Sequence, residues 1–372
     1  MLYKRVVSVS VAAVLLIIPV LIITLPKKEF SENENRILQK FPTVSVENIV
    51  SGQFSDEVEK YISDHFPGRD RLVSLKSTVQ KSIGYKEMNG VFVSKDRLIQ
   101  HIEKPDTTIF TERMGKLTAN IDQTKVKLHL MLVPTDAAVY SEKIPANAPD
   151  IVDEKNIIEQ IYSDVSCDTI DVLSELEIEK NNSNVFYNLD HHWNYNGAYC
   201  GYKSFCEAVG IPVKAKEKFE KKVLSDEFRG TLYSKVLIRS MKPDVIEAVD
   251  LQKDELVVHY VDKKKDENSF YDYSFLKKKD KYSVFGGGNQ ALQIVENENA
   301  ESEDELVVVK DSFANCMIPF LIYHYRRIHV IDPRYYMPHI SDYVNQNEKV
   351  SDVLILYNID SFNSNNGIMK IK

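Results

Sequence analysis

Leu306-Val307-Val308-Val309-Lys310-Asp311-Ser312-Phe313-Ala314 is the stretch whose reading decides the fold. Its apolar run reads as a short buried strand, and it stops at an Asp-Ser pair ahead of a helical pattern. A serine at a strand-to-helix turn sits at the edge of a sheet, where open α/β folds place their chemistry. Two more buried-strand patterns follow, Ile328-His329-Val330-Ile331 and Val353-Leu354-Ile355-Leu356-Tyr357. Upstream, Val126–Val133 reads as a strand stopped by Pro134, and Val91-Phe92-Val93 as another. Helical spacing of Ile109, Met114, Leu117 and Ile121 predicts a helix over 108–122, and residues 153–165 predict a second. Strand–helix–strand alternation of this kind argues for a mostly parallel sheet covered by helices.

The chemistry is carried by Tyr187-Asn188-Leu189-Asp190-His191-His192-Trp193, which holds two of the nine histidines and the single tryptophan. Tyr199, Tyr202, Phe205, Cys206 and Val209 mark a helix face after it, closed by Gly210, with Asn194 or Asn196 as its cap. His192 and Trp193 therefore lie on a loop ahead of a helix. A serine hydroxyl is a weak nucleophile until a base removes its proton; histidine does so near neutral pH, and a carboxylate fixes the imidazole tautomer. Asp190, His192 and Ser312 have those three chemistries, and a helix start at Ser312 would offer free N–H groups to an oxyanion. On spacing alone, a polar loop accounts for Asp-His-His equally well. A metal site is the sharper rival, but adjacent histidines rarely share one ion and no third ligand motif stands nearby.

The 372 residues allow one large domain with attachments, and a net charge of −8 gives a nucleic-acid partner no electrostatic support. Cys167, Cys200, Cys206 and Cys316 show no metal spacing, and Cys200 and Cys206 share the predicted helix, so free thiols are expected. Val6–Leu25 is apolar except for Ser8, Ser10, Pro19 and Thr24, long enough to cross a bilayer, and follows Lys4 and Arg5. No Ala-x-Ala site follows it, only Leu25-Pro26-Lys27-Lys28. An uncleaved single-pass anchor with an exported body is therefore expected, a cleaved signal peptide being the alternative. In residues 29–85, Phe54, Val58, Tyr61, Ile62 and Phe66, then Leu72, Leu75, Val79 and Ile83, predict two amphipathic helices broken at Pro67-Gly68. The lysines at 263–265 and 277–279 read as solvated surface, and Gly286-Gly287-Gly288-Asn289 as a tight turn.

Asp190-His191-His192-Trp193 is also the motif that names the DHHW protein family, which the chain resembles. That family is similar to the AlgX/AlgJ alginate O-acetyltransferases, whose catalytic domain is a rearranged SGNH-hydrolase fold with an Asp-x-His-Trp motif ahead of the nucleophilic serine. The order Asp190, His192, Ser312 matches. Lys310-Asp311-Ser312-Phe313 resembles the Gly-Asp-Ser block with lysine at the glycine position, a departure that bears on local oxyanion geometry. Phe30–Arg36, Asp64–Arg69, Gly230-Thr231-Leu232-Tyr233, Gly287-Gly288-Asn289 and Asp332–Tyr336 resemble further family blocks.

The resemblance implies an α/β fold with an SGNH-hydrolase-like parallel sheet flanked by helices and an N-terminal transmembrane helix. Its expected organisation is an anchor at 1–28, a helical juxtamembrane segment at 29–85, and the main domain at 86–372 with a variable insertion at about 213–300. It implies Ser312 as nucleophile, His192 as base and Asp190 as orienter. Asn289 is then an oxyanion or substrate donor, or a turn residue. Arg334 is a substrate contact or a structural ion pair. His191 and Trp193 shape the site, Trp193 by stacking on sugar or by packing the core. The implied task is acetyl transfer to a cell-envelope polysaccharide, without cofactor or metal, with a membrane-bound O-acyltransferase as acyl donor. The rivals are an esterase with the same triad and a non-catalytic polysaccharide-binding or assembly protein.

Overall fold

The structure, a computed structural model, describes residues 2–34, 36–149, 151–251, 255–363 and 367–371. Asn35 of the Phe30–Arg36 block and residues 252–254 of the expected insertion lie outside them. The chain forms two compact units, Met1–Tyr85 with Ser234–Met241, and Lys86–Tyr233 with Lys242–Lys372.

In the first unit, helix α1 spans Leu2–Thr24, and its Tyr3–Thr24 portion is long and apolar enough to cross a bilayer. Helices α2 (Gln53–Asp64) and α3 (Arg69–Ser82) follow, separated at Pro67-Gly68, where Gly68 takes φ +73°. The two signature blocks of this unit bind each other. Arg36 Nη1 donates to Asp64 Oδ2 at 3.0 Å, and Arg69 Nη1 lies 2.8 Å from Glu34 Oε1. Leu72, Leu75, Val79 and Ile83 are exposed.

The second unit is built on an eight-stranded sheet. Its strands in chain order are β1 (Lys127–Val133), β2 (Asp168–Ile170), β3 (Leu256–Tyr260), β4 (Lys265–Glu267), β5 (Leu292–Asn297), β6 (Glu305–Lys310), β7 (Arg327–Ile331) and β8 (Val350–Asn358). Their spatial order is β4-β3-β5-β7-β6-β8-β1-β2. From β7 to β2 the strands are parallel; β5, β3 and β4 continue the sheet antiparallel. Every residue of β6 is buried, as suits a central strand covered on both faces.

Alternate side chains feed two cores. Leu306, Val308, Leu354 and Leu356 pack with Trp193, Tyr202 and Phe205, the last two from helix Tyr195–Val209. Val307, Val309, Val353 and Ile355 pack with Phe110, Met114 and Leu117 of helix Thr108–Asn120, and with Ile157, Ile158 and Ile161 of helix Glu154–Asp164.

One expectation needs correction. Val91–Val93 is outside the large sheet and pairs antiparallel with Leu98–Gln100 in a hairpin of its own. Within residues 213–300, β3, β4 and β5 extend the sheet through β5–β7 pairing. The helix at Ser312 is a short 3₁₀ helix, Ser312–Cys316, and Ile318–Leu321 is a separate short α-helix. An unbroken helix would bury Pro319 in its interior, where proline lacks the N–H to serve Asn315 and its ring clashes with that carbonyl.

Glu154 sets a pH dependence in this unit. Its buried carboxyl accepts from Thr135 N at 2.7 Å and Thr135 Oγ1 at 2.6 Å, and burial pushes its pKa up to about 7. Between the ordinary carboxyl range and pH 7, the unfolded chain has lost this proton while the folded chain keeps it. Stability therefore falls as pH rises through that window and is level above it, by on the order of 2–3 kcal/mol. Glu154→Gln retains the Thr135 contacts with the hydroxyl roles exchanged. In urea titrations of the full chain, its midpoint should match wild type at pH 5 and exceed it at pH 8. Superimposed midpoints at both pH values would show that burial does not raise this group.

Candidate active site

The Tyr187–Trp193 loop is closed at its base by a Phe186–Trp193 bridge, with Tyr187 N donating to His192 O at 3.2 Å. Two remote residues hold its backbone. Asp244 accepts from Asn188 N and Leu189 N at 3.0 and 2.8 Å. The buried Arg97 guanidinium donates to Phe186 O at 3.3 Å and to Asn188 Oδ1 at 3.0 Å, and lies 3.8 Å from the Tyr140 ring centroid.

Within this frame Asp190, His192 and Ser312 come together across 120 residues of chain. His192 Nδ1 lies 2.6 Å from Asp190 Oδ1, and His192 Nε2 lies 2.8 Å from Ser312 Oγ. The other carboxylate oxygen, Asp190 Oδ2, accepts from Thr231 N at 2.7 Å and Thr231 Oγ1 at 3.0 Å. Burial alone would raise the Asp190 pKa. The coulombic pull of the adjoining His191 and His192 rings, with the hydrogen bonds from His192 and Thr231, overcomes it and holds the carboxyl well below the usual range. An ionised Asp190 takes the Nδ1–H and leaves Nε2 as an acceptor for the Ser312 hydroxyl. His191 faces elsewhere. Its Nδ1 meets Thr231 Oγ1 at 2.5 Å, which lets it donate to a hydroxyl that in turn donates to Asp190.

Ser312 follows the carboxyl end of β6, half-buried and open to a reactant. Asp311 caps its turn: Oδ1 accepts from Phe313 N at 2.9 Å, while Oδ2 accepts from Asn358 N at 2.7 Å and Ser361 Oγ at 2.6 Å. The Phe313 N–H is thus already engaged by a carboxylate, and the turn offers an oxyanion less than a free helix start would. The Tyr282 hydroxyl donates to Ser312 O at 3.1 Å, and its ring stacks on His192 at 3.8 Å and 11°. Burial pushes the neighbouring Cys316 thiol up to about 12, which removes it as a rival nucleophile at neutral pH. All four cysteines are free thiols.

Lysine at the glycine position has a structural use. Lys310 is 2% exposed, and Nζ donates to Asn289 Oδ1 at 3.1 Å and sits 3.5 Å from Asp332 Oδ2. Asn315 Nδ2 also approaches Asn289 Oδ1, at 3.4 Å. An ammonium can only donate, so the amide oxygen faces Lys310 and the NH₂ end of Asn289 is turned away from it.

Of the alternatives held for Trp193 and Arg334, the structure has core packing for the first and an ion pair for the second. Trp193 is 0% exposed, and its Nε1–H donates to Phe313 O at 2.8 Å. A methyl at Gly201 would lie 2.6 Å from its ring, so the indole fills a notch in the following helix and has no face for sugar. Arg334 is paired twice with buried Asp332, Nε–Oδ1 at 2.8 Å and Nη2–Oδ2 at 2.6 Å. Sequence reasoning also missed Thr231, Asp244, Arg97 and Tyr282. Only Thr231 had left a signal, inside the Gly230–Tyr233 block.

One oxygen or nitrogen from each of Asp190, His191 and His192 lies within 4.8 Å of the others, the one such metal-capable trio among the described residues. The hydrogen bonds to Ser312 and Thr231, and between His192 and Asp190, already use atoms an ion would need.

A family model described as "DHHW protein" matches residues 110–331, a span that contains Asp190, His192 and Ser312. A probable alginate O-acetylase AlgJ of Pseudomonas syringae pv. tomato is 23% identical over 174 residues, 44% of this chain and 44% of that protein. The chain thus spans less than half the length of this curated relative. A DHHW family protein from Eubacterium siraeum has a similar structure, with TM-score 0.64 and 23% identity over 74% of this chain and 93% of that one. Bacillus cereus PatB1, solved with a sulfonyl adduct, has TM-score 0.63 and 17% identity over 76% and 98%. Both share the fold.

Proposed function

The chain belongs to the DHHW protein family, and on that premise we propose that it is an O-acetyltransferase that acetylates a cell-envelope polysaccharide through an acetyl-Ser312 intermediate. In this reading residues 1–28 anchor the chain, 29–85 are the juxtamembrane segment, and 86–372 carry the reaction outside the cytoplasm. The support is the relay itself, Ser312 Oγ to His192 Nε2 at 2.8 Å and His192 Nδ1 to Asp190 Oδ1 at 2.6 Å.

His192 Nε2 takes the Ser312 proton as Oγ attacks the acetyl carbonyl of a donor ester or thioester. Ionised Asp190 stabilises the imidazolium, and Asn289 is the candidate amide donor to the developing oxyanion. The donor's leaving group departs with the proton returned by His192, leaving acetyl-Ser312. A sugar hydroxyl then gives its proton to His192, attacks the ester, and Ser312 regains its hydrogen. Each step balances with protein groups and substrates alone. The resemblance to the AlgX/AlgJ enzymes implies a membrane-bound O-acyltransferase as the donor.

Transferase and esterase share the acyl-serine and differ in which acceptor reaches it, a held sugar hydroxyl or water. Holding a sugar against the ester is worth several kcal/mol through orientation alone. The full chain in detergent should hydrolyse 4-nitrophenyl acetate slowly, and added cell-envelope polysaccharide should divert acetyl groups onto glycan. The readout is the ratio of acetylated glycan to free acetate. Rapid stripping of acetylated glycan with no gain by any acceptor would make it an esterase. Glycan binding with neither reaction would make it an assembly protein.

A further inference from the structure

A cavity of about 410 Å³ opens among β3, β4 and the chain that follows β4, outside the relay. Its lining includes Tyr260, Tyr271 and Tyr273. Tyr271 and Tyr273 meet edge to face at 6.2 Å and make an aromatic corner. The Tyr271 hydroxyl is engaged by Val249 O at 2.7 Å, so its ring serves as wall. Tyr273 is 39% exposed; Lys222 Nζ stands 5.3 Å from its ring centroid, and the rest of the ring can be covered by a ligand. Around these rings stand Lys263, Lys265, Glu267 and Asp272, two cations and two carboxylates. Rings flanked by hydrogen-bonding groups of both signs suit a neutral polyhydroxylated molecule, whose C–H faces pack on aromatics while its hydroxyls pair at the rim. Lys265 and Glu267 pair with each other, so their charges offer a polyanion little net attraction.

One wall of the cavity leads along the chain to Asn289. Gly287 lines it with φ +67°, and a methyl there would lie 3.0 Å from the Tyr260 hydroxyl, so glycine keeps this wall open. Asn289 is two residues further on, a span of at most about 7 Å, and its amide contacts Asn315 in the turn that begins at Ser312. The chain that walls the cavity thus leads to a contact with the turn that carries Ser312.

We propose that this cavity is the acceptor subsite and takes a neutral glycan, a proposal that rests on the acetyl-transfer reading. It grips one part of the chain and presents a neighbouring hydroxyl to Ser312. The test uses the full chain carrying Ser312→Ala in detergent, titrated with cellotetraose, chitotetraose and, as the anionic probe, tetramannuronate. At least one neutral tetrasaccharide should bind more tightly than tetramannuronate. Adding Tyr273→Ala should weaken that binding about tenfold or more, and Tyr273→Phe, which keeps the ring, should stay within about threefold. In the chain with Ser312 intact, Tyr273→Ala should lower the acetylated-glycan-to-acetate ratio at least about fivefold. Equal binding with and without the Tyr273 ring, binding of tetramannuronate alone, or no binding of any probe overturns the subsite. Tyr273-dependent binding in a chain whose Ser312 never takes up acetyl leaves the subsite standing and removes the transferase reading alone.

Discussion

Ser312→Ala will take up no label from a sulfonyl fluoride, and His192→Ala will lose at least about 10⁴-fold in labelling and in acetyl-ester turnover. Asp190→Asn will lose on the order of 10⁴-fold, because an amide can leave the wrong imidazole tautomer facing Ser312. The reason is the geometry at His192, with Nδ1 2.6 Å from Asp190 and Nε2 2.8 Å from Ser312. His191→Ala, which touches the relay through Thr231, will cost less. Labelled protein mapped by mass spectrometry should carry the adduct on Ser312 and none on Cys316. Mild and equal losses in all four variants would mean that a polar loop, not a relay, occupies this edge of the sheet.

A single methyl at residue 230 should come close to the effect of deleting the orienting carboxylate. A Cβ on Gly230 would overlap Asp190, lying 2.5 Å from its Cγ. Thr231, the next residue, supplies both donors to Asp190 Oδ2, so the clash and the hydrogen bonds cannot both be accommodated. Misplacing a catalytic group by about 1 Å can cost 10²-fold, and losing the orienter costs about 10⁴-fold. Gly230→Ala should therefore lose between about 10² and 10⁴-fold in turnover with secondary structure retained. Gly115→Ala is the control. It lies in helix Thr108–Asn120 with nothing within 4 Å, and it should gain up to about 1 kcal/mol of stability at full activity. A fully active Gly230→Ala would show that Asp190 has room to move without consequence.

The sheet was legible because its central strands are unambiguous. Glu305–Lys310 and Val350–Asn358 carry short, dense apolar runs that suit burial on both faces. The relay was legible because the loop motif and the Asp-Ser turn each carry their chemistry in consecutive residues. What surrounds them was not, since those groups arrive from far along the chain. Thr231 reaches Asp190 across 41 residues, Asp244 reaches Leu189 across 55, and Arg97 reaches Phe186 across 89. Asp244 and Arg97 belong to no local pattern, and Thr231 only to the Gly230–Tyr233 block. Trp193 was ambiguous because an aromatic beside a catalytic histidine suits sugar or core equally. Gly197 and Gly201, spaced four apart on the next helix, were the clue, since together they open the notch that the indole fills. Pro319 was likewise visible, and it bars one continuous α-helix running on from Ser312.

The large sheet ends on one side at Lys265-Asp266-Glu267 and on the other at the three-residue strand Asp168–Ile170. Such borders matter when many copies share a crowded surface. An outer strand with three consecutive ionised side chains, or one too short to template a neighbour, gives another copy little to zip onto. Strand-by-strand polymerisation is thereby discouraged at both rims. The large sheet thus keeps its valine and isoleucine segments in the middle and leaves a poor template at each rim.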